Sequence, residues 1–239
     1  MPVTIYVLNT STNINCFDYS FHFDNKIKLF LTQSSRYWDS DYPQSRREKI
    51  AQAFNINNDT ILIPKQVHGD SVLIINNETD ELECDAIIYG QKSDIVGTIN
   101  VADCIPICIY DSDNHNIALV HSGWRGTCKK IILKTINILE SLGSNREFLK
   151  FFLGPSIRSC CYQVEKSFSE QFSPRAVFIR NKKYFIDLAT QIKIDLEEAS
   201  IPSNNIIIDD LCTYDSVKCH SFRRDGKSSG RMTMIAYRG

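Results

Sequence analysis

The sequence predicts an α+β fold: a layered α/β sandwich in which mixed β-sheets are flanked by helices. Three observations point there. Short β-rich runs crowd the middle of the chain, the helical stripes fall outside any regular strand–helix–strand alternation, and no Pro-, Gly- or Ser-rich linker divides the 239 residues. The chain therefore reads as a single domain over residues 1–239.

In chain order, residues 4–8 and 28–32 read as short strands with polar connections. Residues 46–54 form a helix, with Ile50, Ala53 and Phe54 on one face and Ser45 placed to cap it. Six short apolar runs follow, at 61–63, 72–75, 86–89, 95–99, 105–110 and 117–120, each bounded by Gly, Asn, Asp or Pro. The clearest helix is 127–142. Its inward stripe is Ile131, Ile132, Thr135, Ile136, Leu139 and Leu142, and Gly143 stands where a terminating glycine belongs. Beyond it, 148–153, 176–179, 206–208 and 232–237 read as strands, and 164–172 and 188–199 as helices.

Composition narrows the function classes. With 27 basic and 28 acidic side chains the net charge is -1, so the basic surplus that phosphate-backbone binding needs is missing and a nucleic-acid partner is not expected. No apolar run approaches the length of a membrane span, and the first residues lack the charged start and apolar stretch of a signal peptide. The nine cysteines are odd in number, contain no CxxC pair, and include adjacent Cys160 and Cys161, which are poorly placed to pair with each other. A cytoplasmic protein with reduced thiols is the expectation.

Three segments carry the chemistry: KQVHGDSV at 65–72, NVADCIPICIYD at 100–111 and HSGWRG at 121–126. Taken singly, each has a plain structural explanation as a packed side chain or a tight turn. Together they place His68, Cys104 and His121 at three junctions between strand and loop, where functional side chains collect on a rigid scaffold. Imidazole and thiolate suit zinc, and three protein ligands leave a fourth position for water or substrate. Arg125, ahead of the helix at 127–142, is placed to meet an anion together with that helix's N-terminus. Asp103 adjoins Cys104 and is a candidate acid/base, provided the chain bends before Pro106 so that both neighbours face one side.

At these residues the chain resembles the YfiH/laccase-domain family, also described as peptidoglycan editing factors and LACC-type purine nucleoside phosphorylases. The family pattern QVHG, TADCxP, HAGWRG, GPxI, CYEV and CT is matched at 66–69, 102–106, 121–126, 154–157, 161–164 and Cys212-Thr213, followed by the Arg/Gly stretch at 223–231. Val101, Ser122 and Gln163 replace the family's Thr, Ala and Glu, and 31–35 stands in place of an S-T-R-x-G-G segment. The resemblance implies a sandwich similar to that of cysteine deamidase toxins. It also implies zinc on His68, Cys104 and His121, with copper as the other ion, and Cys104, His121 and Asp103 as catalytic residues. Arg125, Arg47 and Arg231 would contact phosphate or substrate. The implied activity is phosphorolysis of purine nucleosides, with adenosine deamination and methylthioadenosine cleavage beside it, in a monomer or homodimer. Two other readings stay open: hydrolysis of cytoplasmic muropeptide precursors carrying L-Ser, and a Cys-His hydrolase built on Cys104 and His121.

Overall fold

Every residue of Ile105–Asp111 and Ile117–Ser122 is buried, so the sheet these strands belong to must be covered on both faces. The computed structural model, which describes residues 4–7, 15–34, 38, 43–76, 82–91 and 93–239, shows how. One six-stranded sheet has the order β1-β2-β3-β15-β7-β4, made of β1 (Thr4–Val7), β2 (Asn15–Asp18), β3 (Ile27–Thr32), β4 (Ile61–Leu62), β7 (Val96–Val101) and β15 (Met232–Arg238). The other has the order β14-β10-β8-β9-β6-β5, made of β5 (Val72–Ile75), β6 (Ala86–Tyr89), β8 (Ile105–Asp111), β9 (Ile117–Ser122), β10 (Leu149–Leu153) and β14 (Ile206–Ile208). Both are mixed: β4–β7, β5–β6 and β10–β14 pair in parallel and the other neighbours antiparallel.

Apolar side chains of the two sheets meet in a shared core that includes Phe17, Leu31, Ile99 and Met234 from the first and Ile87, Leu119 and Phe152 from the second. The outer face of the second sheet packs Ile88, Ile107, Val120 and Phe151 against the apolar stripes of α3 (Ile131–Ser141) and α5 (Leu188–Glu198). The outer face of the first sheet receives Ile50 and Ala53 of α1 (Pro43–Phe54) beside Phe30 and Ile235. The result is the layered sandwich the sequence predicts. Among the described residues no helix is long and apolar enough to cross a membrane.

Several local expectations are corrected. Residue 8 lies outside the described residues. Helix α1 starts at Pro43, so Ser45 lies inside its first turn and does not cap it. The helix expected at 127–142 is broken: Lys130, with φ 58°, separates α2 (Trp124–Cys128) from α3. Its ammonium pairs with the fully buried Asp195 of α5, which gives the kink a purpose in packing. Gly143 does end α3, at φ 95° with its amide on Glu140 O. The helix at 164–172 shrinks to α4 (Lys166–Ser169).

A small third sheet, β11 (Gln163–Val164), β13 (Lys183–Ile186) and β12 (Val177–Arg180), was not foreseen in full. Its hairpin turns at Asn181-Lys182, both in the left-handed region, and no glycine marks that turn in the sequence. The short α6 (Phe222–Asp225), capped by Ser221, was also unforeseen.

Phe152 tests the inter-sheet layer: it is 1% exposed, with its ring centroid 4.3 Å from that of Tyr19. Phe152→Ala should cost about 3–5 kcal/mol, read as a lowered urea midpoint with unchanged slope.

Candidate active site

The β7–β8 connection crosses from one sheet to the other, and Cys104 sits in it, one residue before β8. His121 lies on β9, directly opposite Pro106 in the antiparallel register. His68 is on the loop after β4, in a left-handed conformation at φ 58° that histidine adopts more readily than most residues. These elements bring the ligating atoms of His68, Cys104 and His121 within 4.8 Å of one another. The two imidazole centroids are 4.8 Å apart, with their planes nearly perpendicular. A Cβ on Gly123 would lie 2.8 Å from Cys104 Sγ and 3.6 Å from His68 Cδ2, so the glycine keeps the space beside the donors open.

Asp85, immediately before β6, organises this group. Because β6 pairs with β9 and Ala86 faces Val120, the next position brings Asp85 beside His121. The His121 Nδ1–H group donates to Asp85 Oδ1 at 2.8 Å. The amides of Val67, His68 and Gly69 donate to the same carboxylate at 3.4, 3.0 and 2.5 Å. Burial on its own would raise the carboxyl's pKa, but the bonds from His121, Gly69 and His68 outweigh it and hold Asp85 below the usual range. With Nδ1 engaged, Nε2 of His121 is left for the Cys104 thiol. Burial would also raise that thiol; hydrogen bonds from His121 and His68 overcome it and bring Cys104 down to about 6. Burial would lower His121, yet Asp85 and Cys104 hold it up at about 9. Both shifts favour a thiolate beside an imidazolium, the donor forms from which a cation displaces a proton.

The donors face a cavity of about 1190 Å³ whose lining, among the described residues, carries Arg46, Arg47, Arg125, Arg223, Arg231 and Lys65 against one carboxylate, Asp103. Gln66 fastens the His68 loop to β7: its Nε2 donates to Asn100 O at 2.8 Å and its Oε1 accepts from Asn100 N at 2.7 Å. Arg46 reaches the Asn100 side chain at 2.5 Å. Arg47 has a buried Nε with no hydrogen-bond partner among the described residues. Arg125 is exposed, its guanidinium carbon 4.4 Å from the Trp124 ring centroid. It lies within the five-residue α2 and not ahead of a long helix, so the expected assistance from a helix N-terminus falls away and only the guanidinium remains. Arg231 donates to Ser229 O and Gly230 O.

Asp103 does share the site, because φ 81° turns the chain between it and Cys104. Its oxygens accept from Thr213 Oγ1 and from the Arg223 amide, both at 2.6 Å. It thereby ties the C-terminal loop to the cavity. The Arg223 guanidinium carbon lies 4.9 Å from the Tyr162 ring centroid. Sequence reasoning had not singled out Asp85, Asn100 or Tyr162 as contributors to this site.

The model of the family described as "Multi-copper polyphenol oxidoreductase laccase" matches residues 39–238. The chain belongs to this laccase-domain, YfiH-type family. It is 33% identical over 177 residues to a purine nucleoside phosphorylase of Clostridium acetobutylicum, covering 70% of this chain and 72% of that protein. It is 28% identical over 211 residues to the adenosine deaminase RL5 of an unknown prokaryotic organism, covering 80% of each. The crystal structure of the Bacillus licheniformis hypothetical protein YfiH superposes with a TM-score of 0.81 at 20% identity, over 95% of this chain and 96% of that one. Membership of the laccase-domain family fits a metal site, and His68, Cys104 and His121 are residues that could hold the ion.

Two substitutions test this assembly. Gly123 has extended backbone angles that alanine tolerates, so Gly123→Ala should keep its circular dichroism while crowding Cys104. The expected overpacking of about 1–3 kcal/mol weakens metal binding by about 5–150-fold, measured by competition with a chromogenic chelator. Asp85→Asn should weaken it by about 10–100-fold, since the amide cannot accept from every donor that Asp85 serves.

Proposed function

We propose that this chain is a zinc-dependent purine nucleoside phosphorylase. The observation that carries the reading is one cavity combining a three-donor metal set with an arginine-rich wall and the rings of Trp124 and Tyr162. Two imidazoles and a thiolate suit zinc, and three ligands rather than four leave a position for a reactant. Held by His68, Cys104 and His121, zinc would supply Lewis acidity to a reactant in the cavity. The family description names copper chemistry, but five histidines in the whole chain are too few for the several His-rich clusters of a multicopper oxidase.

In this reading Arg125 and Arg47 hold phosphate, and Arg231 contributes charge from the loop just before β15. Trp124 and Tyr162 offer flat surfaces to the purine. A phosphate oxygen forms a bond to ribose C1′ as the C1′–N9 bond breaks; the bonding pair leaves with the base, which takes up a proton. Asp103 acts as a positioning residue, holding the backbone of Arg223 at the cavity wall. Adenosine deamination and methylthioadenosine cleavage use the same purine seat, with water as nucleophile in the first and phosphate in the second. The names of the two relatives support this substrate class.

A second reading has its own observation. Cys104, lowered to about 6, next to His121, itself oriented by Asp85, repeats the order of a thiol, a base and an orienting acid in cysteine hydrolases. Such a site would cleave amides, as in a muropeptide. His68 separates the two, because a thiol nucleophile needs one histidine and the metal set needs both.

Release of free purine base from adenosine or inosine should require phosphate, stop on chelation and return with zinc. His68→Ala and His121→Ala should each lower it by about 100-fold or more. Near-normal turnover in His68→Ala, with inactivation by a thiol reagent in the presence of chelator, would hand the site to the cysteine hydrolase. Arg125→Ala should raise the KM for phosphate by about 10-fold with zinc content unchanged.

A further inference from the structure

Beyond the Asp103–Thr213 hydrogen bond lies a second group of metal-ligating side chains that the reaction above does not use. It arises from the parallel pairing of β10 with β14, which sends both strands towards the same end of the sheet. The pairing continues past the strands through the bridge between Ser156 and Cys212, with Thr213 N donating to Ser156 O at 3.1 Å. The two loops that follow are therefore neighbours. One carries Cys160 and Cys161, the other Cys212 and Asp215.

The sulfurs of Cys160 and Cys161 are 3.3 Å apart. The Asp215 oxygens lie 3.4 Å from Cys160 Sγ and 3.2 Å from Cys161 Sγ. With Cys212, all four donor atoms fall within 4.8 Å of one another. We propose that Cys160, Cys161, Cys212 and Asp215 form a second metal site, which takes a thiophilic divalent cation such as zinc.

The dimensions suit it. Tetrahedral zinc with Zn–S bonds of about 2.3 Å sets its sulfurs about 3.8 Å apart, which is the scale of the cluster. Three thiolates and a carboxylate select a soft or borderline ion. Four protein donors leave no position for a reactant, so this is a structural site, in contrast to the three-donor set of the active cavity. Each thiol gives up its proton on coordination, three per ion bound. Cys160, Cys212 and Asp215 also line a second cavity, of about 970 Å³, through which an ion can arrive.

The position gives the site a task. Tyr162, which lines the active cavity, follows Cys161 directly. Thr213, whose hydroxyl holds Asp103, follows Cys212 directly. The Arg224 guanidinium already gathers the carbonyls of Thr213, Tyr214 and Ser216. A cation shared by both loops fastens them together behind the active cavity and fixes Tyr162 and Thr213 relative to each other.

The test is metal content of the full chain, purified under reducing conditions, loaded with zinc and desalted. The proposal expects two zinc ions per chain in the unmodified protein. It expects one in Cys104→Ala, one in Cys160→Ser, and none in the double variant. Cobalt-loaded Cys104→Ala should show the intense thiolate-to-cobalt charge-transfer band of a multi-thiolate site, and Cys212→Ser on that background should lose it. If Cys212→Ser fails to fold, Cys160→Ser, at an exposed position, carries the spectroscopic test. One zinc per chain that disappears with Cys104→Ala, and no thiolate–cobalt band in that variant, would overturn the proposal. So would a separate preparation, purified without reductant, that binds one zinc when folded and shows seven free thiols instead of nine once denatured in chelator, which would assign these cysteines to a disulfide.

Discussion

The Asp85 carboxylate, with no solvent exposure, accepts the ring N–H of His121 and three successive backbone amides of residues 67–69. Each bond solves a different problem. The amides stabilise a left-handed turn at His68 that a loop would not hold by itself, and the ring bond decides which imidazole nitrogen of His121 faces the cavity. A buried carboxylate is costly unless its lone pairs are filled; here four donors fill them, and in filling them they set the positions of two of the three candidate metal ligands. The third, Cys104, comes from the crossing between the two sheets. The site is thus a product of β6 lying next to β9 and of β7 and β8 belonging to different layers.

The electrostatics of the cavity follow a different logic from those of the whole chain. A net charge of -1 gives no hint that, among the described residues, five arginines and a lysine line one cavity with a single carboxylate among them. Low-dielectric walls of one sign focus a field into the cleft and favour an anionic reactant. The arginines do not repel each other out of place because several are tethered: Arg46 to Asn100, Arg223 to Gln163 and Arg231 to two carbonyls of its own loop. Arg125 is exposed and the Nε of Arg47 is buried without a hydrogen-bond partner among the described residues, and this sets them apart as the groups available to a ligand.

The sequence pattern conveyed the layered architecture because the middle strands are apolar on both faces, which only a doubly covered sheet accommodates. It conveyed His68, Cys104 and His121 because each sits in a short run rich in glycine or proline. It missed Asp85, an unremarked aspartate at the start of a strand, whose role depends on the order of strands in space. The break at Lys130 was hidden because 127–142 keeps a helical apolar stripe across it; the deciding contact, with Asp195, is 65 residues away. The Asn181-Lys182 turn was hidden for the opposite reason, since two residues without glycine adopt the left-handed region. Cys160 and Cys161 read only as a poor disulfide pair until the parallel β10–β14 register set Cys212 and Asp215 beside them.

The Asp85 carboxylate fixes His121 so that Nδ1 carries the proton and Nε2 faces the candidate metal position. Long-range proton–nitrogen correlation spectra of the zinc-loaded, nitrogen-15-labelled chain report this directly. The His121 ring should show a protonated, slowly exchanging Nδ1 and a zinc-shifted, unprotonated Nε2, with the Nδ1 proton signal lost or displaced in Asp85→Asn. An unprotonated Nδ1 in the zinc-loaded chain, or a His121 spectrum indifferent to Asp85→Asn, would contradict it.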